Sequence, residues 1–302
     1  MNLHTGGSAG TWKLGDLTVN RIGLGAMRLT GSAVFGSGAP GDRERSISVL
    51  RRAVELGVDH IDTAAFYFSS LRSANELINR ALAPYPEDLV VATKVWPGRD
   101  PSGEWWWATP GQLRGQVEEN LRQLGRDHLD LVNLRIPRSR QAGSIAEHFG
   151  VLAGLRDAGL IRHLGVSNAT LEHLAEARSI APVVCVQNPY GIGAPPEAGA
   201  VLRACGERDV AFVPFFTIAG EGREAGDSAQ VLSVARAHGA TAAQVRLAWT
   251  LQQGAHVLVI PGTGDPDHLA QNVAAGALRL SDDEMALLSS RHERGEAGPE
   301  PI

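Results

Sequence analysis

An aspartate and a tyrosine lie close together in the stretch 60–67, which reads His-Ile-Asp-Thr-Ala-Ala-Phe-Tyr. Asp62 ends a short apolar run and Tyr67 begins the loop that follows it. A carboxylate and a phenol at this spacing predict the start of a site that moves protons. Because a tyrosine at the start of a loop is also commonly a packing residue, this interpretation needs partners elsewhere in the chain.

The rest of the chain repeats a unit in which a short apolar strand precedes an amphipathic helix. Such alternation favours a parallel sheet, and eight units in about 280 residues predict an α/β fold of the (β/α)8 TIM-barrel type, preceded by a short N-terminal β-hairpin. A doubly wound sheet is less favoured because residues 23–28 lack the third glycine of the dinucleotide-binding fingerprint. Strands are predicted at Ile22, Ile61, 89–94, 129–134, 163–166, 183–186, 210–213 and 257–260.

Composition excludes several classes of protein. The chain has 302 residues, 43% of them hydrophobic, a net charge of −5 and no basic stripe, so we expect no nucleic-acid partner. No apolar run is long enough to span a membrane, and Cys185 and Cys205 show no metal-type spacing. We predict one domain over 1–302, with flexible tails at 1–10 and 291–302, no metal and a cytoplasmic location. The choice between monomer and homo-oligomer stays open.

The residues at the predicted strand ends are mostly polar. Enzymes with this barrel place their sites at the C-terminal ends of the strands, so these side chains are expected to converge on one mouth. Taken singly, Lys94 is more typical of a surface cation and Gln187 of a satisfied polar residue, but their coincidence at successive strand ends predicts a site. The strand-end residues are Asp62, Lys94, Arg135, Ser167-Asn168, Gln187-Asn188, Pro214 and 261–263.

Over essentially its whole length the chain resembles the aldo-keto reductases. The matching segments follow the family's order: Asp62-Thr63-Ala64 with Tyr67, 92–94, 129–131, 165–168, 186–188, and 260–263 with Asn272. Within the family it most resembles the bacterial members that are pyridoxal reductase-like, or pyridoxine 4-dehydrogenase-like. The segments that carry this second resemblance are 19–27, 34–36, 130–135, 184–188 and 213–216.

The resemblance implies an NADPH-dependent oxidoreductase that reduces an aldehyde or ketone to an alcohol, with a small-molecule carbonyl substrate. Tyr67 is then the proton donor. Since a free phenol has a pKa of roughly 10, a nearby cation is needed to ease proton release, and Lys94 is that cation. Asp62 would pair with Lys94 and hold it. An ordinary buried salt bridge is the structural alternative for that pair.

Two positions near Tyr67 and the carbonyl site depart from the family pattern. Arg135 stands where a catalytic histidine is usual, and Phe68 where a glycine usually follows the tyrosine. Arginine offers several donors and stays charged, so it can steady an oxyanion but cannot shuttle protons. We hypothesise that Arg135 selects substrates with an anionic or phenolic oxygen beside the carbonyl, as in pyridoxal. The expected substrate pocket comprises Phe66, Phe68, Trp105 and Trp106.

The cofactor residues follow from the resemblance as well. Ser167, Asn168 and Gln187 would hold the nicotinamide carboxamide, and Phe212 would stack on its ring. The lysine and arginine that grip the 2′-phosphate in many members fall on Gly262 and His268, so the charge argument for NADPH is weakened and NADH is not excluded. The full expected set is Gly25, Met27, Ser167, Asn168, Gln187, Phe212, Pro214, Phe215, Gly220, Pro261, Gly262, Thr263, His268, Gln271 and Asn272.

Other functions stay open at this point. The resemblance matches 214–220 to the family's pyrophosphate-facing loop, but residues 215–220 read Phe-Phe-Thr-Ile-Ala-Gly where relatives read Phe-Phe-Pro-Leu-Gly-Gly. Phe68 and this altered segment leave room for a ketoreductase of a secondary-metabolite pathway. Arg135 and the altered phosphate loop leave room for a non-catalytic, nucleotide-binding regulatory subunit on the same fold. A related barrel that uses its bound cofactor for a non-redox step is a third alternative.

Overall fold

The computed structural model describes residues 5–31, 41–137, 143–218 and 228–290. Its strands are β1 (Thr11–Leu14), β2 (Leu17–Asn20), β3 (Leu24–Gly25), β4 (His60–Asp62), β5 (Val90–Val95), β6 (Pro97–Arg99), β7 (Trp105–Trp107), β8 (Leu129–Arg135), β9 (Ile161–Ser167), β10 (Val183–Gln187) and β11 (Ala211–Phe212). Its α-helices are α1 (Arg43–Glu55), α2 (Ala74–Leu82), α3 (Leu113–Leu124), α4 (Ala146–Asp157), α5 (Leu171–Ile180), α6 (Pro196–Gly206), α7 (Ala229–His238), α8 (Ala242–Leu251), α9 (Pro266–Ala274) and α10 (Asp282–Ser289).

The central sheet is a parallel barrel. Seven strands pair in the order β11-β10-β9-β8-β5-β4-β3. The predicted eighth strand at 257–260 closes the ring through single parallel bridges, from Val257 to Phe212 and from Val259 to Ile22. The predicted (β/α)8 barrel with its N-terminal hairpin, β1 and β2, is therefore confirmed, although the last segment makes bridges and no continuous strand.

Alternation along the strands separates two cores. One set of side chains faces the barrel interior, where Val90, Leu131 and Cys185 pack with Leu14 and Val19 of the hairpin. The alternate set faces the helices, as expected for parallel strands buried on both sides. The hairpin therefore fills the N-terminal end of the barrel and leaves the C-terminal end for a site.

The helix-start signals of the sequence are present in the structure. Asp42 caps α1 by accepting from the Arg45 backbone N–H. Thr109 and Gln112 form a capping box, which opens a short 3-10 turn before α3, and Gly125 ends α3 in the left-handed conformation with φ of 64°. No helix within the described ranges is long and apolar enough to cross a membrane.

Two segments differ from expectation. Residues 6–9, expected to belong to a loose tail, form a 3-10 helix in which the Gly6 N–H donates to Leu56 O at 2.7 Å. A Cβ at Gly6 would lie 2.2 Å from Gly57 O, so this packing requires glycine. Residues 97–107, where no strand was predicted, form the antiparallel hairpin of β6 and β7, since three adjacent aromatic residues favour extended structure. Residues 34–36, Gly220 and the tail 291–302 lie outside the described residues.

Candidate active site

A buried ion pair lies at the C-terminal end of the barrel. Asp62 is the last residue of β4, and Lys94 lies near the end of the neighbouring strand β5. The Lys94 Nζ donates to both carboxylate oxygens of Asp62, at 2.7 and 2.6 Å, and to Thr63 O at 3.0 Å. Lys94 is 2% exposed and Asp62 5%. A buried ammonium needs such a partner because its charge has lost water.

Tyr67 lies against this pair. The Lys94 Nζ is 4.9 Å from the centroid of the Tyr67 ring. The Tyr67 N–H donates to Ala64 O at 3.0 Å, so the small-residue turn after β4 folds the chain back and brings the ring over the strand ends. The structure thus brings together the three residues that the sequence analysis placed in one proton-handling site.

A buried polar network behind the pair was not predicted. Thr63 donates to Asn75 of α2 at 2.8 Å, and Asn75 donates to Asn120 of α3 at 3.0 Å. Thr93 of β5 also donates to Asn120, at 2.6 Å. This network ties the two strands that carry Asp62 and Lys94 to the helices outside them. Its only sequence signal is that Asn75 and Asn120 interrupt apolar helix faces.

Arg135 ends β8 at the same mouth. Its Nη1 donates to Ser167 Oγ at 3.4 Å, and its guanidinium lies 5.1 Å from the centroid of the Phe215 ring. Ser167 is the matching residue of β9 in the parallel register. A guanidinium packed on an aromatic face is held in a defined orientation.

Two amides at the strand ends have partly unmet hydrogen-bonding capacity. Gln187 donates from Nε2 to Asp62 Oδ1 at 2.8 Å, and Asn168 donates to Ile136 O at 3.2 Å. The Gln187 Oε1 and the Asn168 Oδ1 are buried and have no hydrogen-bond donor within the described structure. Asn168 is also held at φ of 56°, an uncommon conformation for a residue other than glycine. Buried acceptors without donors mark a place where a ligand's N–H groups fit.

The expectation for Phe212 is wrong. Phe212 is fully buried and packs edge-on against Tyr190 at 5.7 Å. It pairs with Val186, which faces the helices, whereas Ala211 pairs with Cys185 inside the barrel. Phe212 therefore cannot stack on a ligand at the mouth. Phe215 is half-exposed beside Arg135 and is the aromatic ring available there.

The residues expected to bind the adenosine end of the cofactor, which carries the 2′-phosphate, lie between β3 and the start of α9. The Gly25 N–H donates to Pro261 O at 3.2 Å, and a Cβ at Gly25 would lie 2.7 Å from Ile260 O. Thr263 and Asn272 are buried, Met27 is half-buried, and His268 and Gln271 are exposed on α9. Asp265 caps α9 through the Asp267 and His268 N–H groups.

Sequence reasoning missed two cations near this end. The aliphatic stem of Arg28 lies beside Gly262, because a Cβ there would be 3.5 Å from Arg28 Cγ. Arg45 of α1 forms an ion pair with Asp265. Both arginines come from segments far from 262–272 in sequence, and only the closed barrel brings them there.

The aromatic residues expected in the substrate pocket differ in burial and in position. Phe66 is 4% exposed and lies between Tyr67, at 5.1 Å, and Trp105, at 5.5 Å. Phe68 is half-buried beneath the Arg99 guanidinium. Trp106 packs over Gly98 and is 39% exposed, on the opposite face of β7 from Trp105. The structure therefore groups Phe66, Phe68 and Trp105 near Tyr67 and leaves Trp106 outside that group.

Cys185 lies two residues before Gln187 on β10. Burial raises the pKa of its thiol, and the nearby Asp62 charge raises it further, so the thiol stays protonated. The neighbouring Cys205 is likewise free and buried. Neither thiol is a nucleophile of this site.

The barrel fold places its polar site at the C-terminal mouth, as enzymes of this architecture do, and comparison with known proteins identifies the family. The Aldo/keto reductase family model matches residues 21–293, and the chain belongs to that family. It is an oxidoreductase that acts on the alcohol/carbonyl couple.

The chain is 43% identical to the pyridoxine 4-dehydrogenase of Escherichia coli K12, covering 93% of this chain and 98% of that protein. It is 35% identical to the uncharacterized oxidoreductase C215.11c of Schizosaccharomyces pombe, covering 96% and 92%.

Solved structures agree. The thermostable aldo-keto reductase Tm1743 superposes with a TM-score of 0.76 at 30% identity, covering 92% of this chain and 98% of that one. An aldo-keto reductase from Klebsiella pneumoniae in complex with NADPH gives 0.75 at 26% identity, covering 90% of each chain. The glycerol dehydrogenase AKR11B4 from Gluconobacter oxydans gives 0.79 at 22% identity, covering 97% and 99%, and supports the fold alone.

Proposed function

We propose that this protein is an NADPH-dependent reductase of aldehydes or ketones in which Tyr67 donates the proton. The observation that carries the proposal is the contact between the Tyr67 ring and the Lys94 ammonium, with Asp62 holding that ammonium from the other side. The Lys94 ammonium beside the phenol would stabilise the negative charge that the phenol oxygen gains as its proton is transferred. Asp62 keeps Lys94 in place and balances its charge.

The residues at the mouth fit a nicotinamide. A carboxamide brings two N–H donors, and the Asn168 Oδ1 and Gln187 Oε1 are buried acceptors that lack donors. Ser167, Asn168 and Gln187 would therefore hold the carboxamide, and Phe215 offers the ring face that Phe212 cannot. The reduced nicotinamide, when bound, supplies the hydride.

The preference for NADPH is supported by the Klebsiella relative, whose structure contains NADPH, and by the two cations that reach the adenosine end. Arg28 and Arg45 stand near Gly262 and Asp265, where the sequence offered no positive side chain. A 2′-phosphate carries charge that guanidinium groups bind well. We expect the dissociation constant of NADPH, from quenching of tryptophan fluorescence, to be well below that of NADH, and this difference to shrink in Arg28→Ala.

Pyridoxal is the substrate we favour. The pyridoxine 4-dehydrogenase relative supports it, and Arg135 supplies a chemical reason. Its guanidinium, held by Ser167 and Phe215, can donate to the oxyanion that develops at the carbonyl and to a phenolic oxygen beside it. Arg135→His should reduce the ratio of kcat/KM for pyridoxal to that for benzaldehyde by roughly tenfold. An unchanged ratio would sink the assignment of selectivity to Arg135.

The proposed activity is tested by mixing the protein with NADPH and a panel of aldehydes and ketones, and following the nicotinamide absorbance. We expect turnover that Tyr67→Phe lowers by on the order of 10²–10⁴-fold, the usual contribution of a positioned proton donor. NADPH binding without turnover on any carbonyl would instead support a nucleotide-binding regulatory subunit. A cytoplasmic location, one domain over the whole chain and a small-molecule partner stay part of the proposal.

A further inference from the structure

A strained tryptophan links the site to a hairpin beside it. Trp96 is 3% exposed and directly follows β5, two residues after Lys94. Its backbone has φ of 95°, a conformation that bulky residues rarely adopt. Strain of this kind persists only where the surroundings hold the residue, and it concentrates at functional sites.

Gln116 of α3 holds the backbone of Trp96 through both ends of its amide. The Trp96 N–H donates to Gln116 Oε1 at 2.8 Å, while Gln116 Nε2 donates to Trp96 O at 3.3 Å and to Pro97 O at 3.2 Å. His148 of α4 stacks on the Trp96 ring at 4.0 Å. Trp96 is thus fixed from two helices of the outer layer.

What Trp96 positions is the hairpin of β6 and β7. The hairpin starts at Pro97, and its return strand is joined to Trp96 O by the Ala108 N–H at 2.9 Å. At the edge of the hairpin, Arg99 Nη1 donates to Phe68 O at 2.8 Å. Trp96 at the base and Arg99 at the edge therefore set where the hairpin stands relative to the loop that carries Tyr67.

The hairpin completes a continuous aromatic row. Trp107 stacks on Trp105 at 6.5 Å, Trp105 meets Phe66 at 5.5 Å, and Phe66 meets Tyr67 at 5.1 Å. The row ends beside Lys94, so it leads from the surface to the residue that would donate the proton. A row of aromatic side chains binds flat aromatic molecules better than small aliphatic ones.

We propose that Gln116 is a positioning residue for substrate selection: by holding Trp96 in its left-handed conformation, it places the β6–β7 hairpin so that Trp105 favours aromatic carbonyl compounds over small aliphatic ones. This inference rests on the proposed reductase function. Gln116 touches none of the groups proposed to react, and its side-chain amide contacts Trp96 and the first residue of the hairpin, Pro97.

The test compares Gln116→Ala with Gln252→Ala. Gln252 of the segment after α8 also bridges backbone groups, accepting from the Leu280 N–H at 3.3 Å and donating to Ala248 O at 3.1 Å, but it is remote from the hairpin. In Gln116→Ala we expect KM for benzaldehyde to rise about tenfold, the size of one aromatic contact, while KM for methylglyoxal stays within about twofold. The kcat for methylglyoxal should be unchanged, and Gln252→Ala should show no such split.

A second readout does not depend on turnover. Amide hydrogen exchange in residues 97–107 should accelerate in Gln116→Ala and not in Gln252→Ala. Equal changes in KM for both aldehydes, or unchanged exchange in the hairpin, would overturn the inference. If the wild-type protein reduces no carbonyl, the proposed function fails, and benzaldehyde binding measured by tryptophan quenching in the same variants still decides the role of Gln116.

Discussion

Two cations removed from bulk water stand at opposite ends of this barrel. Lys94, at the C-terminal mouth, is paired with the carboxylate of Asp62. Arg21, at the N-terminal end, binds four carbonyl oxygens, those of Ala9, Leu251, Gly254 and Val257. One of these oxygens, that of Leu251, belongs to the last turn of α8, where helix carbonyls lack intrahelical partners and the helix dipole is negative, and Gly254 lies shortly after that helix.

The difference in hydrogen-bond partners distinguishes Lys94, which belongs to the candidate active site, from Arg21, which has a structural role. The guanidinium N–H groups of Arg21 donate to backbone oxygens. Burial lowers the pKa of Arg21 without removing its charge. Lys94 keeps one side toward the tyrosine ring. A cation that holds backbone together should govern stability, whereas a cation that faces a phenol should govern chemistry. Substitutions at Lys94 and Arg21 test this distinction.

The largest effect is expected from Lys94→Met. The change leaves the Asp62 carboxylate buried without its counter-charge, so the free energy of unfolding should fall by about 3–5 kcal/mol. Reductase turnover should fall by on the order of 10²–10⁴-fold. Denaturant unfolding and the aldehyde assay measure the two quantities. Adding Asp62→Asn to Lys94→Met should restore much of the stability and none of the turnover. Recovery of turnover in that double variant would contradict a chemical role for Lys94.

Arg21→Met should affect stability and spare activity. Removing the guanidinium leaves carbonyl oxygens of the barrel floor without donors, so the free energy of unfolding should fall by about 2–4 kcal/mol. Below the melting temperature, kcat and KM should stay within about twofold of wild type. A large loss of kcat at full folding would show that the two ends of the barrel are not separable in this way.

A smaller, pH-dependent effect is expected from His256, which lies near Arg21. Burial lowers its pKa below 6.5, the hydrogen bond to Leu202 O opposes the shift, and the Arg21 charge adds to it. Because the unfolded chain takes up the proton first as pH falls, the stability linked to this residue is present above about pH 6.5 and lost below it. The free energy of unfolding should therefore be lower at about pH 5.5 than at about pH 8.

His256→Gln should remove that drop, and Arg21→Met should weaken it by removing a charge that opposes protonation. Thermal or denaturant unfolding at the two pH values measures both. If the drop persists unchanged in His256→Gln, another group is responsible for the pH dependence.

Much of the fold and of the site followed from local patterns. Alternating apolar strands and amphipathic helices predicted the barrel. Polar residues at strand ends predicted that Asp62 and Lys94 meet, and the resemblance to the aldo-keto reductases added Tyr67 to them. The assignment of Phe212 failed because a one-residue step along a strand moves a side chain to the other face. Asn75, Asn120, Arg28 and Arg45 were missed because their partners are distant in sequence. The strands at 97–99 and 105–107 were not predicted, because each is only three residues long and the packing of the Trp106 ring on Gly98 is not visible in a local pattern.

The sequence by itself determined the order of strands and helices and which residues stand at the strand ends, because those depend on alternation, capping and turn residues that act over a few positions. The tertiary structure alone decided which face each residue presents and which distant groups meet it. Trp96 adopts its left-handed conformation because Gln116 and His148 hold it. Arg21 has a structural role because the end of α8, some 230 residues away, lies against it. Contacts across such separations depend on how the barrel closes, and no local pattern encodes them.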